Sequence, residues 1–140
     1  MPLRIGKLAS LTGRSVHTIR WYESQRLIPG VRRDLQGRRT YTPWHVAWLD
    51  LIDRLRRTGL SIRQLREYAG MVKRGESALA ERLALMQAQR ARIQAMQADL
   101  RQSLELIDHK IDFYSRWLTS GVQPETRPEF RFKRRIDPDK

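Results

Sequence analysis

The feature that most constrains this chain is an apolar stripe near its C-terminal end. From Leu79 to Leu118 a position recurs at alternating steps of four and three: Leu79, Leu83, Met86, Arg90, Ile93, Gln97, Leu100, Leu104, Ile107, Ile111, Tyr114, Leu118. All except Arg90 and Gln97 are apolar or aromatic. A stripe of that period is a coiled-coil seam, and the segment 78–118 reads as one helix about 60 Å long at roughly 1.5 Å per residue. No other segment of the 140 residues is long enough to cover it. The expected cover is a second copy of the chain. The alternative is a monomer whose helix folds back on the N-terminal part. Arg90 and Gln97 fall at a positions, where polar side chains cost stability and can set register and orientation.

The charge is distributed just as unevenly. Net charge is +13, and residues 1–74 carry 16 Lys and Arg against 5 Asp and Glu, whereas residues 75–118 carry 6 against 6. A positive field confined to one compact half is the footprint of a nucleic-acid surface. The absence of cysteine excludes disulfides, thiolate metal sites and thiol redox sensing. No apolar run approaches the roughly 20 residues of a membrane span, so a soluble, cytoplasmic protein without a membrane partner is expected.

Within the basic half, a short helix over about Lys7–Thr12 is followed by the turn signal Thr12-Gly13, and Ser15 can cap a second helix reaching about Gln25. Val16 and Ile19 can face the first helix, which makes a helix-turn-helix. Pro29-Gly30 breaks the chain. "VRRDLQGRRTY" then reads as a short hairpin turning at Asp34–Gly37, with Arg32, Arg33, Arg38 and Arg39 around the turn. A hairpin so charged buries little, and a wing laid on a phosphate backbone would account for it. Helices over about Pro43–Thr58 and Ile62–Lys73 follow, the second capped by Ser61. From Gly121 the sequence "GVQPETRPEFRFKRRIDPDK" has three prolines and no period, and residues 119–140 are expected to be a mostly disordered basic tail. The fold class is therefore mainly α: a winged helix-turn-helix with a helix pair over residues 1–75, then a coiled-coil dimerisation helix over 76–118.

In that order, the residues themselves resemble the MerR family of bacterial transcription regulators. "IGKLASLTGRSVHTIRWYE" is similar to the family's opening, which ends in Arg-Tyr-Tyr. "LIPGVRRDLQGRRTYT" resembles its wing, with Gly37, Arg39 and Tyr41 in the Gly-x-Arg-x-Tyr pattern. "WHVAWLDLIDRLRRTGLSIRQLREY" resembles its helix pair. Trp21 departs from the first Tyr of the motif, and Arg38 from an aromatic usual in the wing. The resemblance implies a homodimer held by an antiparallel coiled coil, with the second helix of each helix-turn-helix in the major groove of a pseudo-palindromic promoter. It further implies DNA that is bent and underwound to control initiation by RNA polymerase.

Outward residues at the start of a groove-bound helix meet base edges. Here these are Ser15, His17, Thr18 and Arg20, with Trp21 one step further. Arg20 suits a guanine edge or a phosphate, and the competing reading is an ion pair with Glu23. His17 either reads a base or is solvated. Tyr22 and Tyr41 can place hydroxyls on phosphates or be half-buried core. Arg32, Arg38 and Arg39 are expected as wing contacts. Arg57 and the capped helix start from Ser61 to Arg63 form an anion site that could receive a phosphate. The dimer seam is expected to comprise Leu79, Leu83, Met86, Ile93, Leu100, Leu104, Ile107, Ile111 and Tyr114.

No cofactor is expected. His109 with Asp108 and Asp112 is a weak metal candidate, since His109 falls at an outward f position. An unknown small apolar effector could sit where Phe113, Tyr114 and Trp117 meet a partner's DNA-binding domain, although packing at the coiled-coil end explains them better. Two other classes compete with a sequence-specific regulator. An architectural protein coating DNA differs in having equal affinity for any sequence. An enzyme lacks support, with no phosphate loop, paired carboxylates or nucleophile motif.

Overall fold

The computed structural model describes residues 1–125. Its elements are α1 (Ile5–Thr12), α2 (Val16–Ser24), β1 (Arg32–Arg33), β2 (Arg39–Thr40), α3 (Pro43–Arg57), α4 (Ile62–Arg74), a single 3-10 turn (Gly75–Ala78) and α5 (Leu79–Ser120). The chain divides into two compact units, Met1–Ile93 and the part from Gln94 onward. The sequence TRPEFRFKRRIDPDK, at the end of the expected tail, lies outside the described residues; Thr119 and Ser120 still belong to α5.

In the first unit, α1 ends at Gly13, whose φ of 66° is the left-handed conformation that closes a helix cheaply only in glycine. Two residues later Ser15 starts α2, its Oγ accepting the Thr18 N–H at 3.0 Å. This spacing of stop and cap sets the two helices at an angle and points Ile19 and Tyr22 inward. The apolar faces of α1 to α4 meet in one core, where Leu8, Ile19, Leu27, Leu49, Ile52 and Leu65 are fully buried. Trp48 spans that core, its Nε1–H donating to the Leu27 carbonyl at 2.7 Å. Burying six such side chains contributes about 1.5–3 kcal/mol each.

The wing is a two-stranded antiparallel hairpin that pairs Arg32 with Thr40 and Arg33 with Arg39. Its base is tied to the N-terminus, because Leu3 and Tyr41 exchange backbone hydrogen bonds of 2.6 and 2.9 Å. The Met1–Ile93 unit also takes the opening turns of α5. Leu85 and Met86 pack against its core, and the buried Gln89 donates to the Thr58 carbonyl at 3.0 Å and to its hydroxyl at 2.8 Å. Thus Met86, expected at the seam, gives part of its surface to its own chain.

In the second unit the seam lies open. Leu100, Leu104, Ile107, Ile111 and Tyr114 are all more than half exposed, Leu100 reaching 69 %. At the start of α5, within the first unit, Leu79 and Leu83 are exposed too, and Ile93 is half-buried. Phe113 is buried and packs edge-on against the rings of Tyr114 and Trp117, at 5.6 and 5.9 Å. No helix among the described residues is long and apolar enough to cross a membrane.

Candidate nucleic-acid interface

Helix α2 presents one polar face. Ser15 and Thr18 sit at its start, with their hydroxyls 2.9 Å apart. Both side chains therefore hold the helix terminus in shape. His17 and Arg20 are exposed on the same side. Arg20 has no carboxylate partner among the described residues. The competing pair with Glu23 does not form, because Glu23 is held by Arg39 at 2.7 Å and by the Tyr41 hydroxyl at 3.3 Å. Trp21 is only 37 % exposed. The Arg56 guanidinium lies 5.4 Å from its ring centroid and the Tyr22 ring 5.5 Å away, so much of the indole serves to fasten α2 to α3.

Strand alternation splits the wing into two faces. Arg33 and Arg39, opposite one another, line a cavity of about 300 Å³ with Arg4, Ile5, Arg20, Arg38 and Tyr41. Arg32 and Thr40 line a different cavity. Arg33 therefore shares a cavity wall with Arg20, Arg38 and Arg39, whereas Arg32, which sequence reasoning singled out as a wing contact in its place, lines the other cavity. A strict period-two reading of the two strands would have found this; the weak apolar alternation hid the register.

Asp34 organises the wing tip. Its carboxylate accepts the backbone N–H groups of Gln36 and Arg38, each at 2.9 Å, and pairs with Arg4 at 2.6 Å and Arg38 at 3.2 Å. The Arg38 N–H does most to lower its pKa to about 2, with further help from Arg4 against a burial effect of opposite sign. Arg33 closes the turn from the other side by donating to the Gly37 carbonyl at 2.6 Å.

The two tyrosines are core residues. Tyr22 is 2 % exposed and its hydroxyl donates to Asp53 at 3.5 Å. Tyr41 is fully buried, and its hydroxyl donates to Glu23. Burial, then the Glu23 carboxylate, pushes its pKa up to about 12. A phosphate contact from Tyr41 would first have to break the bond to Glu23. Asp53 is a second hub, pairing with Arg14 at 3.2 Å and Arg57 at 3.0 Å. Arg57 is thus half committed within the domain, as is exposed Arg63, which pairs with Glu67 at 3.4 Å. Ser61 and Gln64 cap α4 reciprocally at 2.9 and 3.1 Å, which leaves the N–H groups of Ile62 and Arg63 outside that box. The organising roles of Glu23, Asp34 and Asp53 were not visible in the sequence, because each carboxylate finds its partners across 16 to 39 residues or across a turn.

Comparison with known proteins gives a consistent picture. The model of the MerR HTH family regulatory protein matches residues 3–71. An HTH-type transcriptional regulator of Haemophilus influenzae is 32% identical over 116 residues, which covers 83% of this chain and 86% of that one. A crystal structure of a MerR family regulator lacking the sensor domain, bound to promoter DNA, superposes with a TM-score of 0.75 at 31% identity, over 87% of this chain and 97% of the other. A regulator structure from Listeria monocytogenes gives 0.77 at 32% identity, over 85% and 90%.

Proposed function

This chain belongs to the MerR family of helix-turn-helix transcriptional regulators, and from that premise we propose that it acts as a homodimer that recognises and distorts a pseudo-palindromic promoter. As a transcriptional regulator it is not an enzyme. The observation that carries the proposal is Arg20: exposed on α2, without a carboxylate partner among the described residues, and beside the arginine-lined cavity that α2 forms with the wing. An arginine kept free of its nearest acid is available for a guanine edge, where a bidentate contact discriminates by about 1–3 kcal/mol. His17 and the start of α2 accompany it into the major groove. Arg33, Arg38 and Arg39 follow the backbone along the wing, and the α4 start with Arg57 and Arg63 receives a further phosphate. Ser15 and Thr18 hold the helix terminus that meets the bases, and Tyr22 and Tyr41 act from beneath by fixing α2 and the wing.

The seam Leu79, Leu83, Ile93, Leu100, Leu104, Ile107, Ile111 and Tyr114 supports the dimer, with Met86 contributing the part of its surface not used in its own domain. An open apolar stripe of this length has no favourable place in water. The antiparallel direction, the underwinding and the action on RNA polymerase belong to the same proposal, and family membership supports them. A salt titration on the promoter upstream of the regulator's own gene and on a scrambled duplex tests the reading. Specific binding should exceed the scrambled control by at least about a thousandfold at physiological salt. Equal affinities would leave a DNA-coating protein instead.

A further inference from the structure

The face of the wing turned away from Arg20 borders a larger cavity. It measures about 560 Å³, and its wall includes Pro29, Arg32, Thr40, Trp44, His45 and Lys73. That size is typical of small-molecule sites. Its wall carries an exposed aromatic ring. The Trp44 indole is 47 % exposed, and it stacks on Trp48 at 5.1 Å with 15° between the planes, which holds the ring in place. Trp48 stacks in turn on Tyr68 at 5.4 Å.

Most polar groups of the wall are already engaged. The Thr40 hydroxyl donates to the Arg32 carbonyl at 3.2 Å. The Nδ1 of His45 accepts the Thr42 N–H at 2.9 Å, so the proton sits on Nε2, which donates to the Pro29 carbonyl at 2.9 Å. Three groups are left over. The Trp44 indole N–H has no acceptor among the described residues. Arg32, from β1, and Lys73, from the last turn of α4, are exposed and have no carboxylate partner among them. Arg38 and Arg39 of the same hairpin both have one. The lining contains no Asp or Glu.

A flat π face, one free N–H donor and two unpaired cations form a complementary set. We propose that this cavity binds a planar organic anion, an aromatic carboxylate in chemical class, with its ring on Trp44 and its carboxylate on Arg32 and Lys73. A DNA phosphate would use the two cations and leave the exposed indole face uncovered, whereas an aromatic acid uses the cations and the face together. Such a ligand would touch the wing and α4 together.

The test uses the full-length protein without DNA. The four tryptophans give four indole N–H signals in a nitrogen-15 correlation spectrum, and Trp44→Phe identifies the relevant one. Titration with 1-naphthoate should shift that signal saturably. The neutral analogue 1-naphthalenemethanol should bind at least several-fold more weakly. Arg32→Gln with Lys73→Gln should weaken naphthoate binding about tenfold, since each exposed ion pair supplies up to about fivefold. Thermal melting should not change, because neither side chain is buried or paired. The absence of a saturable shift up to the solubility limit would overturn the proposal, as would equal binding of the two compounds. An unchanged naphthoate affinity in the double variant would overturn it too. Loss of promoter affinity in that variant with naphthoate binding intact would assign the two cations to the DNA backbone.

Discussion

Helices α3 and α5 carry the same kind of apolar pattern and meet opposite fates. In α3, Leu49 and Ile52 are fully buried by helices of their own chain. In the distal part of α5, Leu104 and Ile107 are more than half exposed. Periodicity reports that a face must be covered; it does not report by what. The difference lies in reach. Four short helices can close around a common centre, whereas a 42-residue helix outruns every other element of the chain.

The strongest way to break this comparison is to remove the open region. A chain ending at Ile93 keeps Leu85, Met86 and Gln89 on the core, so the N-terminal unit should still fold. It should be monomeric by sedimentation and bind its promoter about 10²–10⁴-fold more weakly by fluorescence anisotropy, because the two half-sites of the proposed dimer complex are no longer engaged together. A surviving dimer would remove the seam from the account. Next in size is a matched pair of truncations. Leu49→Ala should cost about 2–5 kcal/mol of stability in denaturant melts, at any protein concentration. Ile107→Ala should lower stability only in a concentration-dependent way, because in the proposed dimer its partner is another molecule.

A smaller effect separates two kinds of arginine. Arg20→Ala should lose about 1–3 kcal/mol of affinity for the specific promoter and little for random DNA. A uniform loss on both duplexes would make it a phosphate contact. Smallest is the link between α2 and wing. Tyr41→Phe should cost about 0.5–1.5 kcal/mol by removing one buried hydrogen bond. The folded pKa of Tyr41 is raised, so its contribution is full below about pH 10, the ordinary tyrosine value, and fades as pH rises through about 12. The wild-type excess over Tyr41→Phe should therefore vanish in strong alkali. Asp34 has the opposite sign. Its depressed pKa makes its contribution full above about pH 4 and lost as pH falls through about 2, which a carboxyl NMR titration would follow.

Much of the architecture is legible along the chain. Ser15 and Ser61 mark the starts of α2 and α4, Gly13 marks the end of α1, and the four–three step marks α5. The candidate interface is legible only in part. The sequence could nominate Arg20 but leave its pairing with Glu23 open, and only the fold shows Glu23 turned to Arg39 and Tyr41. Arg32 looked equivalent to its neighbours until the strand register put it on the far side of the wing. Tyr41 stood open between a phosphate contact and the core until the fold placed its ring in the core and its hydroxyl on Glu23.

What the sequence by itself determined is what repeats locally: helix periods, caps, the hairpin turn, the concentration of positive charge in residues 1–74 and an apolar face on α5 that calls for cover. These follow from backbone geometry, since 3.6 residues per turn or two per pleat sort side chains onto faces wherever the segment lies. The tertiary structure alone decided which carboxylate holds which arginine, which wing face meets α2, and that α5 begins as part of the N-terminal core. Those outcomes depend on distances between residues far apart in sequence, and an arginine takes the acid that packing brings within about 4 Å, whatever its place in the chain.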